Sequence, residues 1–273
     1  MNFIQVSFSV EQALSDIILA ELSAGDFDTF EEFDGGIHAY TEEDRFNQIF
    51  VDEVSDRHQV TYETKVIPKE NWNETWEKNY DPIIVDDQVL VKATFHKDLP
   101  SYPIEILVDP KMSFGTGHHA TTHQMIKAQL DIDHSAKSVL DLGTGTGILA
   151  IMAAKLGATQ IEGTDIDEWC IENSRENFAL NGLSDIKLQM TAAQNFHCSA
   201  PFDIVLANIN KNVLLDEMHC YADFCKPNGH LLLSGFYEKD IIDISLSAKE
   251  YGFVIQSQQI KDDWAQLTFV KSE

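Results

Sequence analysis

Val-Leu-Asp-Leu-Gly-Thr-Gly-Thr-Gly-Ile-Leu, residues 139–149, is the stretch of sequence that decides the fold of this chain. An apolar strand pattern runs into three alternating glycines, and a helical pattern follows directly. Glycine permits a tight turn and lets the backbone approach a ligand closely, because it has no Cβ. A strand, a glycine turn and a helix in this order predict a nucleotide-type loop at the carboxyl edge of a parallel sheet.

The patterns on either side of this loop predict the rest of the sheet. Strands that alternate with helices are typical of a doubly wound, mostly parallel α/β sheet. We therefore expect a Rossmann-like domain over residues 80–273. Its predicted strands are 138–142, 160–165, 202–208 and 231–235, and its predicted helices are 148–156 and 168–180.

The N-terminal quarter of the chain has the order β-α-β-β-α-β, which is that of a small ferredoxin-like α+β domain. We expect this domain over residues 1–68, with a capping box of Ser9 and Gln12 at the start of its first helix. A linker helix is predicted over 69–79. Trp72 and Trp76 would lie on one face of it, since they are four residues apart.

The charge of the chain is strongly negative, with 19 Lys and Arg against 45 Asp and Glu and a formal net charge of −26. Such a field repels the phosphates of nucleic acids, so no direct nucleic-acid partner is expected. Residues 1–68 hold 15 acidic and 3 basic side chains, and therefore −12 of this charge. This concentration predicts either a surface that only aids solubility or an acidic docking surface for a basic macromolecule.

The sequence also indicates the cellular compartment of the protein, the state of its cysteines and whether it binds a metal. No apolar run approaches the ~20 residues that cross a bilayer, and residues 1–6 lack the features of a secretory signal, so we expect a cytoplasmic protein without membrane contact. The four cysteines form no C-x-x-C pair, which favours reduced thiols. His119 and His123 are four residues apart, but spacing supplies no third ligand, and we expect no metal.

Two acidic residues near the glycine loop indicate which class of ligand it binds. Asp141 precedes the first glycine and suits a cationic group, such as the amino-acid end of S-adenosylmethionine; Asp165 ends the next strand, where a carboxylate reaches ribose hydroxyls. A dinucleotide fingerprint is matched only in relaxed form, from Gly145 to Ala150, and a purely structural turn is a further alternative. Asp167 would either share the role of Asp165 or cap the helix that follows.

Asn208 ends the strand 202–208 at the point where the cleft of a doubly wound sheet opens. Its side-chain oxygen and the adjacent backbone carbonyl can accept hydrogen bonds from an incoming N–H and so orient the nitrogen lone pair. This pattern predicts a catalytic amine acceptor. The alternative is a residue of a turn or a helix N-cap.

Several segments together resemble the ribosomal protein L11 methyltransferases, a family of class I S-adenosylmethionine-dependent enzymes. They are the loop Phe114-Gly115-Thr116-Gly117-x-His119-x-Thr121-Thr122, the tryptophan-bearing link, the glycine loop, Asp165-Ile166-Asp167 and Ala207-Asn208-Ile209. Two departures are Thr144-Gly145-Thr146 in place of Cys-Gly-Ser and Ala120 in place of Pro. The resemblance implies that Phe114 and Thr116 lie near the target amine, and that the cofactor is bound by Thr122, Gly143, Gly145, Asp165 and Asn208.

The same resemblance implies the reaction. Methyl groups would pass from S-adenosylmethionine to lysine ε-amines, the N-terminal α-amine, or both, of ribosomal protein L11, with up to three methyls per amine. We expect the enzyme to be a monomer. The alternatives are a class I methyltransferase acting on RNA or a small molecule, and a non-catalytic cofactor-binding adaptor.

Overall fold

The computed structural model describes residues 2–33, 35–67, 80–109, 115 and 117–273. The chain divides into two compact units, Met1–Asn79 and Tyr80–Glu273. The linker helix predicted over 69–79, with Trp72 and Trp76, lies outside the described residues.

The first unit is an antiparallel sheet with two helices, in the strand order β2-β3-β1-β4. Ile4, Val6 and Phe8 alternate along β1 and are buried in its core, as the two-residue period of a strand requires. This confirms the ferredoxin-like prediction. The elements are β1 (Phe3–Ser9), α1 (Gln12–Leu22), β2 (Thr29–Phe33), β3 (Gly36–Glu42), α2 (Gln48–His58) and β4 (Tyr62–Ile67).

The predicted capping box at the start of α1 is wrong. Ser9 is still the last residue of β1, where it pairs with Gly36 of β3. The N-cap of α1 is Glu11, and its side chain makes no cap hydrogen bond. Ser9, which the local pattern assigned to the helix cap, is therefore part of the hydrogen-bonded sheet.

The second unit contains a seven-stranded sheet in the order β10-β9-β8-β11-β12-β14-β13 and a three-stranded sheet β5-β6-β7. The four predicted strands correspond to β8, β9, β11 and the longer β12. Its strands are β5 (Ile83–Val85), β6 (Val89–Lys92), β7 (Ile104–Leu107), β8 (Ser138–Leu142), β9 (Gln160–Asp165), β10 (Lys187–Met190), β11 (Phe202–Asn208), β12 (Cys225–Tyr237), β13 (Phe253–Lys261) and β14 (Trp264–Lys271). Its helices are α3 (Ala120–Leu130), α4 (Ile148–Lys155), α5 (Glu168–Leu180), α6 (Lys211–Phe224) and α7 (Ile241–Glu250).

Strand β8 is the switch point of the large sheet. It pairs in parallel with β9 on one side and with β11 on the other, so the chain builds the sheet outward in two directions from it. Because β12 is also parallel to β11, the carboxyl ends of all four strands meet at one edge. A crevice at that edge is where ligands bind in open α/β sheets.

Apolar clusters cover both faces of the large sheet. Leu140 belongs to the cluster that includes side chains of α6 and α7, whereas its neighbour Val139 belongs to the one that includes side chains of α3 and α4. Burial on both faces explains why the strands read as continuous apolar runs. Within the described part of the chain, no helix is both long enough and apolar enough to span a membrane.

Candidate active site

The glycine loop lies between β8 and α4 in a conformation that needs glycine. Gly143, Gly145 and Gly147 have φ values of 67°, 55° and 80°. A Cβ on Gly143 would stand 2.5 Å from Cγ2 of Ile209, and one on Gly147 would stand 2.5 Å from a ring carbon of Phe178. The left-handed backbone therefore favours glycine at all three positions, and at Gly143 and Gly147 a side chain would also have to displace a close neighbour.

The carboxylate of Asp165 lies against this loop. Its Oδ2 accepts a hydrogen bond from the backbone N–H of Gly145 at 2.9 Å, and its Oδ1 accepts one from Asp167 at 3.1 Å. Each carboxylate oxygen retains further acceptor capacity, which suits the ribose hydroxyls expected here. Asp167 instead caps α5, because its Oδ1 accepts from the backbone N–H of Trp169 at 2.9 Å.

Replacing Asp165 with alanine is expected to weaken S-adenosylmethionine binding about tenfold or more, because charge-assisted hydrogen bonds worth roughly 1.5 to 3 kcal/mol are lost. The change also removes the acceptor for the Gly145 N–H. Calorimetry on Asp165→Ala and Asp167→Ala separates the two acids. Normal affinity in the first variant and weak affinity in the second would reverse the assignment.

Asp141 is the most deeply buried acid at the loop, with 1% of its surface exposed. The hydroxyl of Thr144 donates to its Oδ2 at 2.7 Å, and the backbone N–H of Ala150 also interacts with the carboxylate. Its buried Oδ1 makes no hydrogen bond of ordinary geometry to the described residues. Burial raises the pKa of Asp141 to about 7, and the negative charge of Asp165 adds to this rise. An unpaired buried acceptor is costly, so a ligand that brings an ammonium group here would relieve that cost.

The free energy of unfolding is expected to depend on pH through Asp141. Its folded pKa lies above the unfolded value of 3.8, so the folded state binds more protons in this range and stability falls as pH rises from about 4 to about 7. The loss amounts to roughly 2 to 3 kcal/mol between pH 5 and pH 8. Asp141→Asn should lack this component in denaturant titrations and should also bind the cofactor more weakly. Equal pH slopes in the two proteins would contradict a buried neutral carboxyl.

Asn208 and Thr122 are brought together although 86 positions separate them. The amide Nδ2 of Asn208, at the end of β11, donates to the hydroxyl of Thr122 on α3 at 3.4 Å. With Nδ2 used as the donor, Oδ1 is the atom that can accept a hydrogen bond from an amine. The N-cap of α6 is Asn210, whose Oδ1 accepts from the backbone N–H of Val213 at 3.2 Å, so the cap interpretation of Asn208 is wrong.

Phe114 and Thr116, the predicted substrate residues, lie outside the described residues and stay predictions. Two buried side chains that the sequence did not lead us to expect, Asn177 and Thr146, connect Asp109 and Gly115 to the glycine loop. Asn177 on α5 donates to the carbonyl of Thr146 at 2.9 Å and accepts from the N–H of Asp109 at 2.9 Å. The hydroxyl of Thr146 donates to the carbonyl of Gly115 at 2.6 Å. The available signal was the i, i+4 spacing of Asn173, Asn177 and Asn181 along α5.

His119 serves as the N-cap of α3, where its Nδ1 accepts from the backbone N–H of Thr121 at 3.3 Å. Burial lowers the pKa of His123. Across the residues that the structure describes, no group of three histidine, cysteine, aspartate or glutamate side chains is arranged to hold a metal ion.

Comparison with known proteins identifies the family. Residues 9–272 match the family of ribosomal protein L11 methyltransferase (PrmA). The ribosomal protein L11 methyltransferase of Bacteroides fragilis is 38% identical over 280 residues, which cover 99% of this chain and 100% of that protein. The corresponding protein of Porphyromonas gingivalis is 40% identical over 266 residues, covering 93% of this chain and 90% of that one.

A solved structure supports the same conclusion at the level of the fold. The crystal structure of ribosomal protein L11 methylase from Lactobacillus delbrueckii subsp. bulgaricus is 29% identical and superposes with a TM-score of 0.66. The superposition covers 71% of this chain and 100% of that chain, which confirms the class I methyltransferase fold. The chain therefore belongs to the ribosomal protein L11 methyltransferase family.

Proposed function

We propose that this S-adenosylmethionine-dependent methyltransferase methylates lysine ε-amines, the N-terminal α-amine, or both, of ribosomal protein L11. The observation that carries the proposal is the family match over residues 9–272. The contact between Asn208 and Thr122 supports the part of the proposal that places an amine acceptor at Asn208, because it leaves Oδ1 of Asn208 as the acceptor.

The residues at the carboxyl edge of the sheet fit S-adenosylmethionine. We assign its ribose hydroxyls to Asp165 and its ammonium group to Asp141, whose Oδ1 has no partner among the described residues. Gly143 and Gly145 would let the backbone approach the ligand, and Thr122 and Asn208 would hold it from the side of β11. The cofactor supplies a methyl group that its sulfonium leaving group already activates.

Orientation is the main contribution of the protein to such a displacement. The Oδ1 of Asn208 and the adjacent backbone carbonyl would each accept an N–H from the target amine, which directs the nitrogen lone pair at the methyl group. Deprotonating a lysine with a pKa of ~10.4 costs about 4.6 kcal/mol at pH 7, whereas deprotonating an α-amine with a pKa of ~7.8 costs about 1 kcal/mol. Desolvation beside Asn208 offsets part of the lysine cost, and the proton passes to water.

Transfer of a radiolabelled methyl group tests this function. The label is expected in isolated ribosomal protein L11 and not in ribosomal RNA, because a formal charge of −26 disfavours contact with phosphates. Label in RNA alone would favour the RNA methyltransferase alternative. Binding of S-adenosylmethionine by calorimetry without any transfer would favour a non-catalytic adaptor.

We also propose that residues 1–68 capture the substrate and residues 80–273 carry out methyl transfer, with 69–79 as the linker. The charge of −12 on residues 1–68 suits a basic partner such as a ribosomal protein. Exposed charges are screened over about 8 to 10 Å at physiological salt, so capture should weaken as ionic strength rises.

The proposed working form is a cytoplasmic monomer without direct contact to nucleic acid or membrane. Its charge of −26 supports this, because like-charged copies and anionic surfaces repel one another. Light scattering at physiological salt is expected to give the mass of one chain. A mass of two chains would contradict the monomer.

A further inference from the structure

We propose that Tyr237, together with Trp264 and His119, forms an aromatic wall that binds the side chain of the substrate lysine beside Asn208. This inference rests on the proposed function and deepens it. The wall would contact the aliphatic stem of the lysine and hold its cationic end before deprotonation and after methylation.

The ring of Trp264 contacts both of the other rings. The centroids of Tyr237 and Trp264 are 4.2 Å apart with an interplanar angle of 30°, and those of His119 and Trp264 are 4.6 Å apart at 72°. The backbone N–H of Tyr237 donates to Asp240 at 3.3 Å, and Asp240 in turn pairs with Lys211 at 2.7 Å. Tyr237 is thus held in place, while 43% of its surface remains exposed.

The wall lies at the same sheet edge as Asn208. Tyr237 ends β12, which is parallel to β11, and it pairs with Trp264 at the start of the antiparallel β14. Asn208 pairs with Ser234 of β12. His119 also connects the wall to Asn208, because it caps helix α3, and Thr122 of that helix contacts Asn208.

A glycine next to this strand end allows the close approach. Gly235 has φ of 96°, and a Cβ on it would stand 2.2 Å from the carbonyl oxygen of Ile209. The backbone that follows Asn208 therefore packs directly on the end of β12. Two residues later the chain presents the ring of Tyr237.

The position on the sheet separates this wall from the cofactor. The glycine loop follows β8, and Asp165 ends β9, on one side of the switch point. β11, β12 and β14 lie on the other side. Of the residues assigned to the cofactor, Thr122 and Asn208 belong to this second side, and the aromatic wall lies beyond them where β12 ends and β14 begins. The wall is therefore available to the group that meets the cofactor at Asn208.

The chemistry of the wall suits an alkyl ammonium group. Aromatic faces attract cations through the ring quadrupole and also cover apolar stems. Lys239 already places its Nζ 5.4 Å from the centroid of the Tyr237 ring, so this ring accepts an ammonium group within the chain itself. A methylated lysine keeps its affinity for such a face, because methylation leaves it able to carry a positive charge.

Kinetics with purified ribosomal protein L11 test the wall. Tyr237→Ala is expected to raise KM about three- to tenfold, with kcat and the Kd for S-adenosylmethionine within about twofold of wild type. Tyr237→Phe should restore the KM. Tyr237→Leu should restore it only in part, since leucine covers the stem and lacks the quadrupole. The matched control is Tyr251→Ala, because Tyr251 is 42% exposed and precedes β13, whose first residue pairs with the last residue of β14 at the opposite edge.

The outcomes separate this inference from the proposed function. No methylation of L11 by the wild-type enzyme would overturn the proposed function. An active wild type whose KM is unchanged in Tyr237→Ala would overturn the wall alone. Equal loss in Tyr237→Phe and Tyr237→Ala would assign the effect to the hydroxyl and also overturn it, and full rescue by leucine would overturn the cation contact.

Lys239 provides a second test of the same ring. Lys239→Gln frees the face of Tyr237 and is expected to lower KM for L11 about twofold. Lys249→Gln removes the same charge from the C-terminal part of α7 and should leave KM unchanged. Equal effects of the two variants would reveal a general charge effect and would contradict the ring contact.

Discussion

Replacing Asn208 with alanine is expected to lower kcat for methylation of L11 by ~10-fold to 100-fold, while KM and cofactor affinity change much less. The reason is that its Oδ1 would hold the amine only in the geometry that reacts. Stability should change little, because Asn208 is half-buried and the hydrogen bond of its amide to Thr122 is long, at 3.4 Å. Single-turnover methylation and thermal melts on the same preparations measure both effects.

Asn210 offers a matched control two residues away. Asn210→Ala removes the cap of α6 and should cost about 1 kcal/mol of stability with no change in the single-turnover rate. Asn208→Asp keeps the shape of the side chain and adds a negative charge close to the cationic sulfonium, so it should raise cofactor affinity without restoring the rate. An unchanged single-turnover rate in Asn208→Ala would remove the catalytic role.

Deletion of residues 1–68 is expected to abolish methylation of L11 and leave cofactor binding near normal. Residues 80–273 form a compact unit that contains the glycine loop, Asp165 and Asn208, so the deletion leaves every residue that we assign to the cofactor in place. The deletion removes −12 of the charge of −26, and with it the surface proposed to attract the basic substrate.

Calorimetry with S-adenosylmethionine is the control that shows the truncated protein is folded. In the full-length enzyme, kcat/KM for L11 should also fall as salt is raised from low to physiological concentration, since long-range attraction is screened. A truncated enzyme that methylates L11 at the full rate would exclude a role of residues 1–68 in capture.

The parts of the fold that could be predicted are those whose cause is local. The glycine loop could be predicted because three alternating glycines between a strand and a helix permit left-handed turns, and φ values of 67°, 55° and 80° confirm that need. The ferredoxin-like order could be predicted because its hydrophobic periods change with each element. The prediction of the start of α1 was wrong because Ser9 pairs with Gly36, which is 27 positions away and therefore outside any local sequence pattern.

The same distinction applies to the candidate site. Asp165 and Asn208 were accessible to sequence reasoning, since each ends a strand and parallel strands bring their carboxyl ends to one edge. The sequence favours Asp165 over Asp167 because Asp165 lies nearer the strand end, and the structure adds that Asp167 accepts a capping hydrogen bond from Trp169. Asn177 resembled an ordinary polar helix residue until its contacts with Thr146 and Asp109 were known.

The sequence by itself determined the two fold types, the glycine loop, the ends of its strands and the acidic charge, because each depends on residues close together in the chain or on composition alone. Only the tertiary structure decided that Asn208 meets Thr122, that one oxygen of the buried Asp141 lacks a hydrogen-bond partner among the described residues, and that Trp264 contacts the rings of Tyr237 and His119. These contacts depend on strand order and packing, which bring together residues up to 145 positions apart, as for His119 and Trp264. Burial and cross-strand contact are properties of that packed arrangement, so no local pattern contains them.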